Sequence, residues 1–169
     1  SVPDMVRDGT WTLDQMIALT KTIYVDADGN GKMDENDTYG FVTDFYNSAD
    51  SWYTAADIHQ ISIDKDGYPI YTPQMEKVTS LVEKVAPFLY AGSTVGSYRT
   101  ESDPQCDMFK NNQALFILRE LDNARSYFRD MEESYTILPL PKYDEAQSQY
   151  YTPVYNGATL WCIPTDNPE

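Results

Sequence analysis

Hydrophobic positions in the first half of the chain follow the helical period in one segment and the strand period in the next. Residues 12–25 place apolar side chains on one helical face, and Thr12 and Gln15 stand at capping-box spacing. TYGFVTDF then predicts a strand in which Gly40 allows a close backbone approach. After a short polar helix, ISIDKDGYPIY predicts a hairpin with glycine at its turn. The apolar face of the first helix consists of Leu13, Met16, Ile17, Thr20, Ile23 and Tyr24.

The second half of the chain alternates in the same way. Thr72 and Pro73 begin the longest predicted helix, which ends near Gly92. Two more helices are predicted in DPQCDMFKNNQ and DNARSYFRDMEE, and three strands in ALFIL, YTILPLP and ATLWCIP, with ALFIL buried on both faces. This order, without an internal repeat, predicts an α/β fold with a mixed sheet flanked by helices. The buried stripe of the longest helix is predicted to contain Met75, Val78, Val82, Val85 and Leu89.

The charge of the chain excludes two classes of partner. Its 169 residues carry a net charge of −15, and its 12 cationic side chains form no basic stripe. Nucleic-acid binding requires clustered Lys and Arg, and an anionic membrane surface repels an acidic protein, so we expect neither partner. No apolar run approaches the roughly 20 residues of a membrane span. Fourteen tyrosines and three tryptophans supply flat rings with polar edges, which suit a Tyr-rich core or stacking on sugars equally well.

The segment DADGNGKMDEND, residues 26–37, has the ligand spacing of a calcium loop. Calcium takes oxygen ligands from positions 1, 3, 5, 7, 9 and 12 of such a loop, with glycine at position 6. Gly31 stands at position 6, but position 12 is an Asp where Glu is usual. Either this Asp or Glu35 closes the site. The predicted ligands are Asp26, Asp28, Asn30, the main-chain carbonyl of Lys32, Asp34 and Asp37.

A solvated acidic turn is the alternative to a calcium site in this loop. Five acidic side chains and one lysine leave four net negative charges uncompensated without a cation, and this favours the ion. A calcium sensor needs a helix after its loop and a second, paired loop, whereas here a strand follows and no second loop is present. We therefore expect a structural calcium ion that pins the first helix to the strand.

Catalytic motifs are missing from the chain. There is one histidine, and the sequence has no glycine-rich phosphate loop, no serine elbow and no CxxC pair. The sequence contains many pairs of acidic residues, but none of them in particular indicates a glycosidase site. We therefore expect that the chain is not an enzyme. Cys106 and Cys162 are compatible with one disulfide or with two free thiols.

Four segments together resemble extracellular solute-binding proteins of ABC importers. They are RDGTWTLDQM, DADGNGKMDENDTYGF, YTILPLPKYDEAQSQYYTPV and TLWCIP, and the closest likeness is to carbohydrate-binding lipoproteins of Gram-positive bacteria. The resemblance implies a type II periplasmic-binding-protein-like fold with two α/β lobes and a sugar in the cleft between them. Residues 1–169 would be the second lobe alone, without the first lobe and the lipid-anchor signal. The resemblance also implies a cell-surface location and delivery of the sugar to a membrane permease.

In α/β lobes the ligand lies beyond the ends of the strands, which gives two candidate regions. One follows the TYGFVTDF strand and the other ends ALFIL. Trp52 is predicted to stack on a sugar, and packing in the core is its alternative role. Arg119 is predicted to bind hydroxyl groups, and an ion pair with Glu120 is its alternative role. Trp11 and Trp161 are predicted to make core or hinge contacts. The predicted ligand-binding residues are Tyr46, Asn47, Asp50, Trp52, Tyr53 and Arg119.

Two other functions remain open from the sequence. A calcium-dependent assembly module of the dockerin kind also ends its loops in Asp, but it uses two repeated loops in a much shorter chain. A glycoside-active domain would need a cleft with two facing carboxylates.

Overall fold

The computed structural model describes residues 1–43, 45–91, 94–96 and 104–154, with the backbone alone at 45–49 and 94–96. The predicted strand ATLWCIP lies outside these residues, as do Trp161 and Cys162. The described helices are α1 (Val2–Arg7), α2 (Leu13–Thr20), α3 (Phe45–Ala55), α4 (Met75–Leu89), α5 (Pro104–Lys110) and α6 (Asn123–Ser126). The described strands are β1 (Tyr24–Val25), β2 (Thr38–Thr43), β3 (Ile61–Ile63), β4 (Pro69–Tyr71), β5 (Thr94–Gly96) and β6 (Ala114–Leu118).

Strand β2 is the centre of a small mixed sheet. It pairs in parallel with β6 along one edge, while the other edge pairs antiparallel with β1 and then in parallel with β5. Thr43 of β2 is in register with Gly96 of β5 and with Leu118 of β6, so the carboxyl ends of the three parallel strands coincide. Helices flank this sheet, and the α/β class predicted from the sequence is confirmed. The hairpin β3–β4 forms a separate two-stranded sheet, as predicted.

The hydrophobic core lies between β2 and the helices α2, α3 and α4. Phe41 of β2 packs against Phe88 and Trp52, with ring centroids 5.2 Å and 6.1 Å apart. Trp11 is 2% exposed and its Nε1 donates to the carbonyl of Pro139 at 3.1 Å, which confirms the predicted core contact. The buried members of this core are Trp11, Leu13, Met16, Phe41, Trp52, Ala56, Ile58, Leu81, Val85 and Phe88.

Gly40 brings the end of α2 directly against β2. A Cβ atom at this position would lie 2.5 Å from the carbonyl oxygen of Thr20, inside the contact limit of any real side chain. The close approach predicted for Gly40 is therefore confirmed. At the other end of α2, the Thr12 hydroxyl accepts a hydrogen bond from the Gln15 main chain at 3.4 Å and caps the helix, also as predicted.

The first predicted helix is too long. Helix α2 ends at Thr20, and Tyr24 and Val25 form β1, which pairs with Tyr39 and Thr38 of β2. Ladder hydrogen bonds to β2 outweigh helix continuation there, because β2 offers a free edge beside the chain. The acidic loop therefore connects two antiparallel strands instead of a helix and a strand.

The buried stripe of α4 was assigned wrongly at two positions. Met75 is 58% exposed and Val82 is 49% exposed, whereas Leu81, Val85 and Phe88 are buried. These three residues are spaced i, i+4 and i+7 and form one face, so the face that meets the core is rotated from the predicted one. The helix also begins at Met75, two residues after Pro73.

Three elements of the second half also differ from prediction, and one strand was missed. Only Asn123–Ser126 is helical in the predicted DNARSYFRDMEE helix, and YTILPLP forms no strand. Pro139 and Pro141 lack the N–H groups that a ladder needs, and an isolated bridge between Lys142 and Thr12 directly follows this segment. Leu115 is 48% exposed, so ALFIL is not buried on both faces. The short strand β5 lies after α4, where no strand was predicted. Within the described residues, no helix is long and apolar enough to span a bilayer.

A pair of valines on α4 tests the corrected orientation of this helix. We expect Val85→Ala to lower the free energy of unfolding by about 2 kcal/mol, because it leaves a cavity beside the core. Val82→Ala should change it by less than about 0.5 kcal/mol, since this side chain is half exposed. Urea denaturation of both variants measures the difference. Equal losses would restore the orientation predicted from the sequence.

Candidate metal site and the carboxyl edge of the sheet

Three carboxylates of the acidic loop converge on one point. Oxygen atoms of Asp26, Asp28 and Asp37 all lie within 4.8 Å of one another, and among the described residues no other group of this kind is found. Asp37 is completely buried, Asp26 is half-buried and Asp28 is exposed. The structure thus brings together positions 1, 3 and 12 of the predicted ligand set.

The loop that positions these carboxylates is held by its own main chain. Asp26 accepts hydrogen bonds from the N–H groups of Gly29 at 2.8 Å and Gly31 at 3.0 Å, one on each carboxylate oxygen. Gly31 has a φ of 71°, which a residue with a side chain rarely adopts, and the sharp turn predicted at position 6 is therefore present. The loop folds back over the Asp26 carboxylate because of these two bonds.

Asp37 is anchored more extensively than either of the other two carboxylates. One oxygen accepts from the Ala27 N–H at 3.1 Å, and the other accepts from the Tyr24 hydroxyl at 2.9 Å and the Asp34 N–H at 3.3 Å. A carboxylate has about four acceptor positions, so Asp37 retains capacity for a cation. The sequence left Asp37 and Glu35 as alternatives for the last ligand, and Asp37 is the one that lies with Asp26 and Asp28.

The remaining predicted ligands lie around this group. The Asn30 amide donates to Asp28 at 2.7 Å and to Asp34 at 3.2 Å. Hydrogen bonds from the Asn36 main chain and from Asn30 lower the pKa of Asp34 below its usual value, so it stays ionised at neutral pH. The Lys32 carbonyl accepts from the Tyr24 hydroxyl at 3.4 Å.

Three residues that support the loop were not recognised from the sequence. Tyr24 and Tyr39 lie side by side, with ring centroids 5.5 Å apart, and the Tyr39 hydroxyl donates to the Asp34 carbonyl at 2.9 Å. Gln113, just before β6, donates to the carbonyls of Glu35 at 3.0 Å and Asp37 at 3.3 Å. Tyr24 followed by Val25 is a pattern typical of a strand, and this could have indicated the position of Tyr24. Nothing in the sequence indicates that Gln113 contacts the loop.

The pKa of Tyr24 reflects its place beside the acidic group. Burial of the hydroxyl, followed by its hydrogen bond to Asp37, raises the pKa of Tyr24 to about 12. Burial and the charge of Asp37 also raise the pKa of Tyr39. Both hydroxyls are therefore protonated at neutral pH and act as hydrogen-bond donors to the loop.

The chemistry of the donor set fits a hard divalent cation. Carboxylate and carbonyl oxygens suit calcium and magnesium, whereas the loop offers no thiolate or imidazole for zinc. The described structure thus contains an acidic triad that can hold a metal ion.

The residues predicted to contact a sugar lie partly at the carboxyl edge of the sheet, where β2, β5 and β6 end. Arg119 directly follows β6, and its Nη2 donates to the side-chain oxygen of Gln105 at 3.0 Å. Gln105 is 2% exposed and in turn donates to the carbonyl of Thr43 at 3.5 Å. This chain of contacts connects the ends of β2 and β6 through α5.

Trp52 takes the alternative role that the sequence left open. It is 3% exposed and packs against Phe41, so both faces of the ring are covered by the core and none is offered for stacking. Tyr53 is half-buried against the same core, and Asp50 is exposed. The side chains of Tyr46 and Asn47 lie outside the described residues. Of the predicted ligand residues with described side chains, only Arg119 stands at the sheet edge.

A surface cavity of about 390 Å³ opens at a different place, beside the exit of the acidic loop. Its polar lining includes Glu35, Asn36, Asp107, Asn111 and Gln113, and it contains none of the predicted sugar-binding residues. No family model, no curated protein and no solved structure matches the chain.

Proposed function

We propose that this chain is one lobe of an extracellular solute-binding protein that captures a carbohydrate for an ABC importer, with a structural calcium ion in the loop of residues 26–37. Two observations support this proposal. The acidic triad lies at the start of the central strand, and the carboxyl ends of three parallel strands coincide at the other end of that strand. The resemblance of four sequence segments to such proteins supplies the class of ligand.

Calcium in this proposal fastens β1 to β2. Asp26 follows the last residue of β1, and Asp37 precedes the first residue of β2, so an ion bound by both closes the hairpin. The remaining ligands would be Asp28, Asn30, the Lys32 carbonyl and Asp34. The connection to a strand on each side differs from the helices that flank the loop of a calcium sensor, which favours a structural role.

The sugar-capture proposal rests on one observation, that the carboxyl ends of β2, β5 and β6 lie at the same edge of the sheet. In open α/β sheets, ligands bind beyond the carboxyl ends of parallel strands, where loops from several strands meet. Arg119 stands at that edge, held by Gln105, and a guanidinium presents several N–H donors in a fixed fork that can bind adjacent hydroxyl groups. We propose Arg119 as the hydroxyl-binding group.

The rest of the proposal concerns a longer protein. A partner lobe would complete the cleft, closure of the two lobes would sequester the sugar, and the loaded protein would deliver it to a membrane permease. A lipid on the full-length protein would hold it at the cell surface. We propose a binding function and no catalysis.

Replacing Arg119 tests the capture site. We expect the chain to bind oligosaccharides weakly, because one lobe supplies part of the contacts, and Arg119→Met to weaken that binding at least about tenfold through loss of charged hydrogen bonds. Protein-observed NMR titrations with a panel of neutral oligosaccharides measure this. Arg125→Met is the matched control, since Arg125 is exposed on α6 and pairs with Asp122.

The outcome of these titrations separates two functions. Shift changes at Thr43, Leu118 and Arg119 that Arg119→Met abolishes and Arg125→Met preserves would support sugar capture. Absence of any shift at these residues with every oligosaccharide would count against it. Capture of a protein partner in a calcium-dependent manner would favour an assembly module.

A further inference from the structure

We infer that Tyr24 is a positioning residue for the metal site, orienting the ligand Asp37 from outside the coordination sphere. The inference rests on the metal site of the proposed function and goes beyond it, because Tyr24 is not itself a ligand. It assigns to one hydroxyl group the role of setting how tightly the loop binds calcium.

The geometry around the Tyr24 hydroxyl carries this inference. Its oxygen lies 2.9 Å from Oδ2 of Asp37 and 3.4 Å from the Lys32 carbonyl oxygen. These atoms belong to positions 12 and 7 of the loop, on opposite sides of its turn. The hydroxyl carries one hydrogen, so the shorter contact with Asp37 is its main hydrogen bond and the Lys32 carbonyl is a weaker second acceptor.

Three hydrogen bonds orient the Asp37 carboxylate, and the one from Tyr24 comes from a side chain. The Ala27 N–H occupies the opposite carboxylate oxygen, and the Asp34 N–H reaches Oδ2 at the longer distance of 3.3 Å. The Tyr24 bond is therefore the shorter of the two on Oδ2 and the one made by a side chain from β1. Groups outside the coordination sphere that orient metal ligands typically account for 10- to 100-fold in metal affinity.

Packing fixes the hydroxyl in this position. Tyr24 is paired with Tyr39 across the β1–β2 ladder, and their rings lie 5.5 Å apart at an angle of 56°. The Tyr39 hydroxyl donates to a main-chain oxygen, that of Asp34, at 2.9 Å, and a hydrogen bond with Asp37 makes only the smallest contribution to its raised pKa. The two tyrosines therefore share an environment and differ in the atom that they hold, which makes Tyr39 the matched control.

The test is calcium titration calorimetry on chelator-stripped protein, comparing the wild type with Tyr24→Phe and Tyr39→Phe. We expect Tyr24→Phe to raise the Kd for calcium by about 10- to 100-fold and Tyr39→Phe to change it by less than about threefold. Melting of each variant in excess chelator reports the stability of the fold without the metal. A residue that only stabilises the fold would shift this melting midpoint and leave the Kd of the folded protein unchanged.

Each result separates the inference from the function on which it rests. A wild-type protein that binds no calcium would overturn the metal site and this inference together. A wild type that binds calcium, beside a Tyr24→Phe variant with the same Kd, would overturn the inference and leave the metal site intact. Equal weakening by both phenylalanine variants would also overturn it, because the effect would then belong to the tyrosine pair and not to the hydroxyl on Asp37.

Discussion

Replacing Gly40 with alanine is expected to lower the free energy of unfolding by about 3 kcal/mol, at the upper end of the usual cost of overpacking a core. The added Cβ would lie 2.5 Å from the Thr20 carbonyl oxygen and 2.8 Å from the Thr20 Cα. Both are main-chain atoms, so no rotation of a side chain relieves the overlap. The end of α2 must move away from β2, and the core contacts of Leu13 and Met16 on the same helix move with it.

Gly67 provides the control for this variant, and chemical denaturation provides the measurement. Gly67 has a φ of 87° and open space around its Cβ position, so Gly67→Ala should cost only about 1 kcal/mol of backbone strain. The difference between the two variants isolates the contact between α2 and β2. A Gly40→Ala protein as stable as Gly67→Ala would mean that α2 does not lie against β2 in this way.

Removing the Asp37 carboxylate should have a comparable effect. Asp37→Ala leaves the Ala27 N–H, the Asp34 N–H and the Tyr24 hydroxyl without their acceptor, and unsatisfied buried donors cost about 1–3 kcal/mol each. Because the loop is partly open to water, we expect a total loss of about 3 kcal/mol in the presence of chelator. Calcium binding should be lost as well, since Asp37 is one of three carboxylates at the site.

A variant of Asp28 distinguishes the role of Asp37 in calcium binding from its role in stabilising the fold. Asp28 belongs to the same triad but is exposed, and within the part of the chain that the structure describes it accepts hydrogen bonds only from Asn30. Asp28→Ala should therefore weaken calcium binding while leaving the melting midpoint in chelator within a few degrees of wild type. Melting curves of both variants with and without calcium measure this. Similar curves for the two in chelator would show that Asp37 has no part in the fold beyond metal binding.

Local signals in the sequence predicted the elements whose causes are local. The Thr12 cap, the hairpin turn at Gly67 and the spacing of the acidic loop each depend on a few neighbouring residues. Gly40 was predictable because glycine inside a strand often marks a close contact. The α/β class followed from the order of these elements.

Features that depend on distant partners were not predictable. The face of α4 that meets the core is set by α3 and β2, and the helical pattern alone allowed Val82 as readily as Leu81. Trp52 was equally compatible with stacking and with packing until Phe41 was placed beside it. The role of Gln105 depends on contacts with Arg119 and Thr43, 14 and 62 residues away along the chain.

Whether calcium fastens β1 to β2 is tested most directly by thermal unfolding of the wild-type chain in excess calcium and in excess chelator. Binding to the folded state alone stabilises it, so the melting midpoint should be higher in calcium by about 5 °C or more, with a cooperative transition in both conditions. The fold should persist in chelator, because the ion serves one loop and the core cluster around Phe41 includes no residue of that loop. Identical midpoints in the two conditions would contradict the calcium site.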